Sequence, residues 1–286
     1  MPAAAGERFG ARLAAAVAAH GPLCAGIDAH PALLAAWGLG DDIAGLERFS
    51  RTVVDALAGH VAALKPQAAF FERHGSRGLA VLERVLADAR DAGVLTVVDA
   101  KRGDVGSTMA AYADAFAGDS PLAGDAVTAS PYLGFGSLRP LLDVAAEHGR
   151  GVFVLALTSN PEGAGVQHAR DADGRAVARA VAEAAAAENA GAQPVGDVGL
   201  VVGATVGGAV GELGIDLAAV NGWLLAPGVG AQGATAEDLR TVFGAARGAV
   251  LAASSREVLA AGPDPSALRA AARRTADAVR SALTAG

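Results

Sequence analysis

The strongest constraint in this sequence is an alternation repeated eight times. A short β-rich or glycine-flanked apolar run is followed by a longer Ala/Leu/Arg/Glu stretch with helical spacing. The runs lie around residues 22–28, 60–66, 94–100, 125–129, 151–157, 198–203, 222–227 and 248–253. Between them, stretches such as 46–57 and 79–92 place apolar residues three and four apart. Strands that are apolar throughout suit a parallel sheet buried on both faces, and every parallel neighbour needs a crossover, usually a helix. Eight such units favour a closed (β/α)8 TIM barrel, an α/β fold, over an open doubly wound sheet. The length of 286 residues fits a barrel that occupies the whole chain.

One domain is therefore expected over 1–286, with two additions. The N-terminal stretch MPAAAGERFGARLAAAVAAH carries Glu7 among its arginines and has no continuous apolar core, so it reads as an amphipathic helix rather than a signal peptide. The connection 161–195 is the longest. Its Gly/Asp-rich start and the run RAVARAVAEAAAAENA read as an enlarged loop–helix insertion, too short to form a core of its own. A final helix is expected from about residue 265.

Composition narrows the function classes. Hydrophobic residues make up 52% of the chain, yet runs such as LCAGI, VLTVV, GVFVLAL and GLVVGA are too short to span a bilayer. With 23 basic and 30 acidic residues the net charge is −7, so the cationic surplus exploited by general nucleic-acid or anionic-membrane binding is missing. A local basic pocket stays open. Cys24 is the only cysteine, which excludes an intrachain disulfide and a cysteine-based metal cluster and leaves it as a small core residue. The six histidines show no metal-ligand spacing. His20, His60 and His148 lie beside glycine or near expected helix ends and read as surface or capping groups, so no metal site is expected. With no signal peptide read in the N-terminal stretch, a cytoplasmic location is expected.

Chemistry in such a barrel belongs at the C-terminal ends of the strands, so polar residues that close an apolar run are the informative ones. Asp28, Lys65, Asp99 and Lys101 are of this kind. Asp99 and Lys101 are two apart, which puts both on one face of a strand, and Asp104 follows three residues later. Taken alone, Asp-Ala-Lys-Arg-Gly-Asp reads equally well as a polar strand-to-helix turn with Asp104 near a helix N-terminus. The opposite charges of Asp28 and Lys65, ending two other strands, shift the balance, because charges at a barrel mouth are costly unless paired or used. Neighbouring carboxylates favour a charged Lys101, a proton donor and electrostatic stabiliser rather than an imine-forming nucleophile.

A second cluster lies where run seven enters Pro227-Gly-Val-Gly-Ala-Gln-Gly233 and run eight enters Ser254-Ser-Arg-Glu257. The last two loops of these barrels commonly hold phosphate with backbone N–H groups. Gly228, Gly230, Gln232 and Arg256 are the candidates. GVGAQG matches G-x-G-x-x-G formally, but the next run ends Leu-Ala-Ala-Ser-Ser without an acid, which favours phosphate without a dinucleotide. The alternative is a tight glycine turn with Arg256 paired to a surface acid. After run five, Thr158, Ser159 and Asn160 could read an amide-bearing ring or could simply form a Ser-Asn-Pro turn.

Together, Asp99-x-Lys101-x-x-Asp104 with Thr108, Lys65 and Asp28 ending earlier strands, and PGVGAQG followed by Arg256 resemble the orotidine 5′-phosphate decarboxylase family over about residues 24–256. The wording DAKRGDVGST and TSNPEG resembles its type 2 bacterial branch, which has longer loops. That resemblance implies a cofactor-free, metal-free conversion of orotidine 5′-monophosphate to UMP and CO2, a step of pyrimidine synthesis. It implies that Lys101 protonates C6, Asp99 lies against the departing carboxylate, Lys65 pairs with Asp99 and the ribose, and Asp28 binds a ribose hydroxyl. Ser159 would contact the pyrimidine amide, and Gln232 and Arg256 the phosphate. It further implies a homodimer in which Asp104 and Thr108 complete the partner's pocket. The segment after Asn160 is longer than in compact members, and the resemblance gives Gln167 no role. Two rivals share parts of the pattern: a Mg²⁺-dependent sugar-phosphate decarboxylase or aldolase on the same barrel, and a non-catalytic phosphometabolite-binding barrel. Lys65 competing for Asp99 favours the metal-free chemistry.

Overall fold

Each of the eight apolar runs forms a strand in the computed structural model, which describes residues 7–229 and 234–284. The strands are β1 Leu23–Ile27, β2 Ala63–Pro66, β3 Leu95–Arg102, β4 Ala126–Ala129, β5 Gly151–Leu157, β6 Gly196–Val202, β7 Gly222–Pro227 and β8 Val250–Ser254. All neighbours pair in parallel in chain order, and β8 returns to β1 to close a barrel. Closure leaves no sheet edge unpaired.

Side chains that alternate across a strand divide the apolar residues into two cores. Cys24, Ala63, Val97, Ala126, Phe153, Val201, Trp223 and Leu251 fill the barrel. Their neighbours, among them Ile27, Leu64, Val98, Val127, Val154, Leu200 and Leu224, pack outward under the helices. Cys24 is fully buried, and burial pushes its thiol up to about 12, which makes it an inert core group.

The N-terminal helix α1, Phe9–His20, seals the N-terminal end of the barrel. Phe9 meets Phe153 edge to face with ring centroids 5.9 Å apart. Full burial of Phe9 and Leu13 contributes about 1.5–3 kcal/mol each. Gly10 donates its N–H to Asp197 Oδ1 at 2.8 Å and accepts from Trp223 Nε1 at 3.1 Å. A Cβ on Gly10 would lie 2.6 Å from the carbonyl oxygens of Val195 and Gly196, so only glycine allows this approach. Arg12 pairs with Asp125, whose carboxylate also accepts from the Thr96 N–H at 2.9 Å. With the lower end closed, the C-terminal end of the barrel is left for chemistry.

After β5 come the turn Pro161–Gly163, a short helix Ala164–Gln167 and a helix Val177–Glu188 that buries Ala178, Val181, Ala182 and Ala185. The last helix, Pro265–Thr284, buries Leu268, Ala272, Ala276 and Val279. Among the described residues, no helix is long and apolar enough to cross a membrane.

Candidate active site

Inside the barrel the upper layer changes from apolar to charged. On β2, Ala63 faces the interior core and Lys65, two residues on, faces the same way at the mouth. On β3, Val97 is followed by Asp99 in the same sense. Lys65 Nζ donates to Asp99 Oδ2 at 2.9 Å, and Lys101 Nζ donates to Asp99 Oδ1 at 2.6 Å. One carboxylate therefore holds two ammonium groups. Burial alone would raise the Asp99 carboxyl, but the charges of Lys65 and Lys101 hold it down at about 2. For Lys65, burial favours the neutral amine, and the carboxylates of Asp99 and Asp28 overcome that and push it above the usual lysine value.

The two lysines differ in setting. The Lys65 side chain is 9% exposed, whereas that of Lys101 is 46% exposed, so Lys101 is the ammonium that a ligand can approach. Lys101 also carries φ +48, a left-handed conformation rare for a side chain with a Cβ. The β3–β4 ladder shifts register there, between Val98 and Arg102. Strand alternation put Lys101 on the face of Asp99; the chain instead kinks at Lys101, and its side chain turns back to the carboxylate. Arg102 points away, pairing with Glu72 and lying over Phe116 and Tyr112.

A cleft of about 560 Å³ opens above this network. Asp28, Lys65, Gln67 and Asp99 line one part, and Gly228, Ser255 and Arg256 another. Asp28 Oδ1 is buried without a hydrogen-bond partner, as a carboxylate waiting for a ligand donor would be. Arg256 is exposed and makes no ion pair among the described residues, which argues against its pairing with a surface acid. Gly228 has φ +95, a turn conformation that favours glycine. Gly230 and Gln232 lie outside the described residues.

Three other candidates stand apart from this cleft. Asp104 accepts from the N–H of its neighbour Val105 at 2.8 Å, and Thr108 is exposed on the following helix. Neither lines the cleft. Ser159 sits on the exposed turn after β5, where Gln167 accepts from the Thr158 N–H at 2.9 Å and donates to Thr158 Oγ1 at 2.7 Å. Gln167 thus braces the loop that carries Ser159.

Sequence reasoning missed several participants. Thr128 donates to Asp99 Oδ1 at 2.8 Å from β4. Gln67 accepts from Lys65 Nζ at 3.4 Å and donates to the Asp99 carbonyl at 3.3 Å; it lies two residues beyond Lys65, and that spacing was the available signal. His30 and Phe70 form an aromatic wall, ring centroids 5.8 Å apart. Gly26 was overlooked too: a Cβ there would lie 1.8 Å from Ser255 Oγ, so β1 needs glycine for Ser255 to enter the mouth.

A family model described as Orotidine 5′-phosphate decarboxylase / HUMPS matches residues 21–271. The chain belongs to this family. It is 65% identical over 279 residues to an orotidine 5′-phosphate decarboxylase from Salinispora arenicola, covering 97% of this chain and 99% of the relative. A similar protein of the same description from Streptomyces coelicolor is 61% identical over 280 residues, 98% and 99% of the two chains. Among solved structures, one from Streptomyces avermitilis assigned as an orotidine 5′-phosphate decarboxylase superposes with a TM-score of 0.93 at 62% identity, covering 98% of this chain and 97% of that one. The Leishmania donovani OMP decarboxylase gives a TM-score of 0.74 at 33% identity, covering 97% and 100%. The family's name joins decarboxylase and HUMPS members, and these similar proteins all stand on the decarboxylase side.

Proposed function

We propose that this chain is a decarboxylase converting orotidine 5′-monophosphate to UMP and CO2 in pyrimidine nucleotide synthesis, with Lys101 as the acid. One observation carries the chemical assignment. The Lys101 ammonium is half exposed and held 2.6 Å from Asp99, a carboxylate that itself lines a cleft whose other part presents Arg256. When the bond between C6 and the carboxylate breaks, its electron pair stays on C6, in the ring plane and without an adjacent π-system. A fixed ammonium is the group able to meet that charge. Lys101 Nζ gives a proton to C6, CO2 departs, and the resulting amine regains its proton from solvent. Asp99 fixes the direction of Nζ and stands beside the departing carboxylate. Lys65 neutralises Asp99, and Asp28 receives a ribose hydroxyl. Arg256, with Gly228, Gly230 and Gln232, takes the phosphate. Ser159 reads the pyrimidine amide from the loop braced by Gln167.

Both Asp99 oxygens hold ammonium groups, which occupies that carboxylate with side-chain donors. That donor set suits side-chain chemistry better than the Mg²⁺-dependent reaction of sister enzymes.

The working unit is a homodimer in which Asp104 and Thr108 complete the partner's cleft. Support comes from their position outside the cleft of their own chain. Val105, Tyr132 and Leu133 are exposed beside them, on loops joined by the Ser130 N–H donating to the Arg102 carbonyl at 2.8 Å. Apolar groups grouped in this way favour a protein partner. Its place is the cytoplasm, in keeping with a single unpaired cysteine.

An ultraviolet assay of orotidine 5′-monophosphate consumption, with protein exhaustively treated with EDTA, tests the activity. Full turnover without added metal is expected. No consumption, or dependence on Mg²⁺, would overturn it.

A further inference from the structure

We infer that Thr128 is a positioning residue for the reaction, fixing through one hydroxyl both the kinked backbone of Lys101 and the carboxylate that aims its ammonium. The inference rests on the proposed role of Lys101 and adds the means by which that lysine is held in place.

Thr128 occupies the third position of β4, two residues after Ala126 of the barrel core, and is 1% exposed. A hydroxyl among apolar groups is costly unless its hydrogen-bonding capacity is used. Here it is used twice. Thr128 Oγ1 donates to Asp99 Oδ1 at 2.8 Å and accepts from the Lys101 N–H at 2.9 Å. The directions are fixed by the partners, because an ionised carboxylate can only accept and a backbone N–H can only donate.

The second bond falls within the β3–β4 register break, at the residue with φ +48. An unpaired N–H there would make an already unfavourable conformation worse. The hydroxyl satisfies it and so favours the kink over regular strand. The first bond acts on Asp99 Oδ1, the oxygen that also receives Lys101 Nζ. Backbone and side chain of Lys101 are thus tied to one oxygen atom on a neighbouring strand. Without it, the carboxylate keeps only its two lysine donors, and the Lys101 kink loses its anchor. Valine has nearly the shape of threonine and no hydroxyl, so Thr128→Val removes both bonds while keeping the packing.

The test measures kcat and KM for orotidine 5′-monophosphate, and UMP affinity, in the wild type, Thr128→Val and Thr128→Ser. A misplaced acid costs turnover more than binding. A fall in kcat of about 100-fold is expected for Thr128→Val, with UMP affinity changed no more than a few-fold. Thr128→Ser restores the hydroxyl and is expected to recover most of the rate. Wild-type kcat in Thr128→Val would overturn the inference, as would equal loss in the serine and valine variants. Should the valine variant fail to fold, Thr128→Ser and Thr128→Ala decide: an active serine and a slow alanine variant support the role, and equal rates overturn it. An inactive wild type would instead defeat the proposed activity, a result distinct from any of these.

Discussion

Replacing Asp99 by asparagine is the substitution whose energetic consequence follows most directly from the geometry. The carboxylate holds Lys65 at 2.9 Å and Lys101 at 2.6 Å in a site where Asp99 and Lys65 are both buried. Its depression from the usual 3.8 to about 2 corresponds to about 2–3 kcal/mol of folding free energy. The folded-state value lies below the unfolded one, so this contribution is complete above about pH 3.8 and is lost as pH falls toward 2. Asparagine keeps the shape but leaves two ammonium groups without their shared counter-charge, and removing one partner of a buried pair costs about 3–5 kcal/mol. Urea unfolding at pH 7 should therefore show Asp99→Asn less stable by about 2–5 kcal/mol. Repeated at pH 3, the gap should shrink by roughly 1 kcal/mol, because the wild type alone gains a proton at this position on unfolding. Equal stabilities at pH 7, or a gap unchanged between pH 7 and pH 3, would refute the reasoning.

Arg256→Ala should lower kcat/KM for the phosphorylated substrate by about 10- to 150-fold, the effect of one charge-assisted hydrogen bond. It should leave the slow reaction of the phosphate-free nucleoside unchanged; equal losses on both substrates would remove the phosphate assignment. Gly26→Ala should weaken UMP binding measured by calorimetry and lower the melting temperature, since its Cβ would overlap Ser255 Oγ. Wild-type affinity would show that Ser255 is free to move aside. Mixing inactive Lys101→Ala and Asp104→Ala chains should restore activity in the hybrid site that carries neither change, and no recovery despite proven subunit exchange would count against sharing between subunits.

The fold was legible because a parallel barrel writes its strands as apolar runs, and all eight lie where those runs do. The charged mouth was legible for a related reason. Asp28, Lys65 and Asp99 break apolar runs at their ends, and charge at a barrel mouth is costly unless paired or used. Thr128 was not legible, since one threonine in Ala-Val-Thr-Ala is ordinary strand composition and its value lies in two bonds to a different strand. The kink at Lys101 was hidden for the same reason: alternation predicts a regular strand, and the register shift against β4 overrides it. Gly26 carried no local signal, because the group that excludes a side chain there, Ser255, arrives from the turn after β8, far along the chain.

Decarboxylation of orotidine 5′-monophosphate by Lys101→Ala, followed as released CO2 with UMP binding as the check on folding, bears most directly on the role given to this ammonium. Near-complete loss of turnover with UMP binding retained is the expected result. Turnover at the wild-type rate would show that the proton reaches C6 from elsewhere and would contradict the assignment.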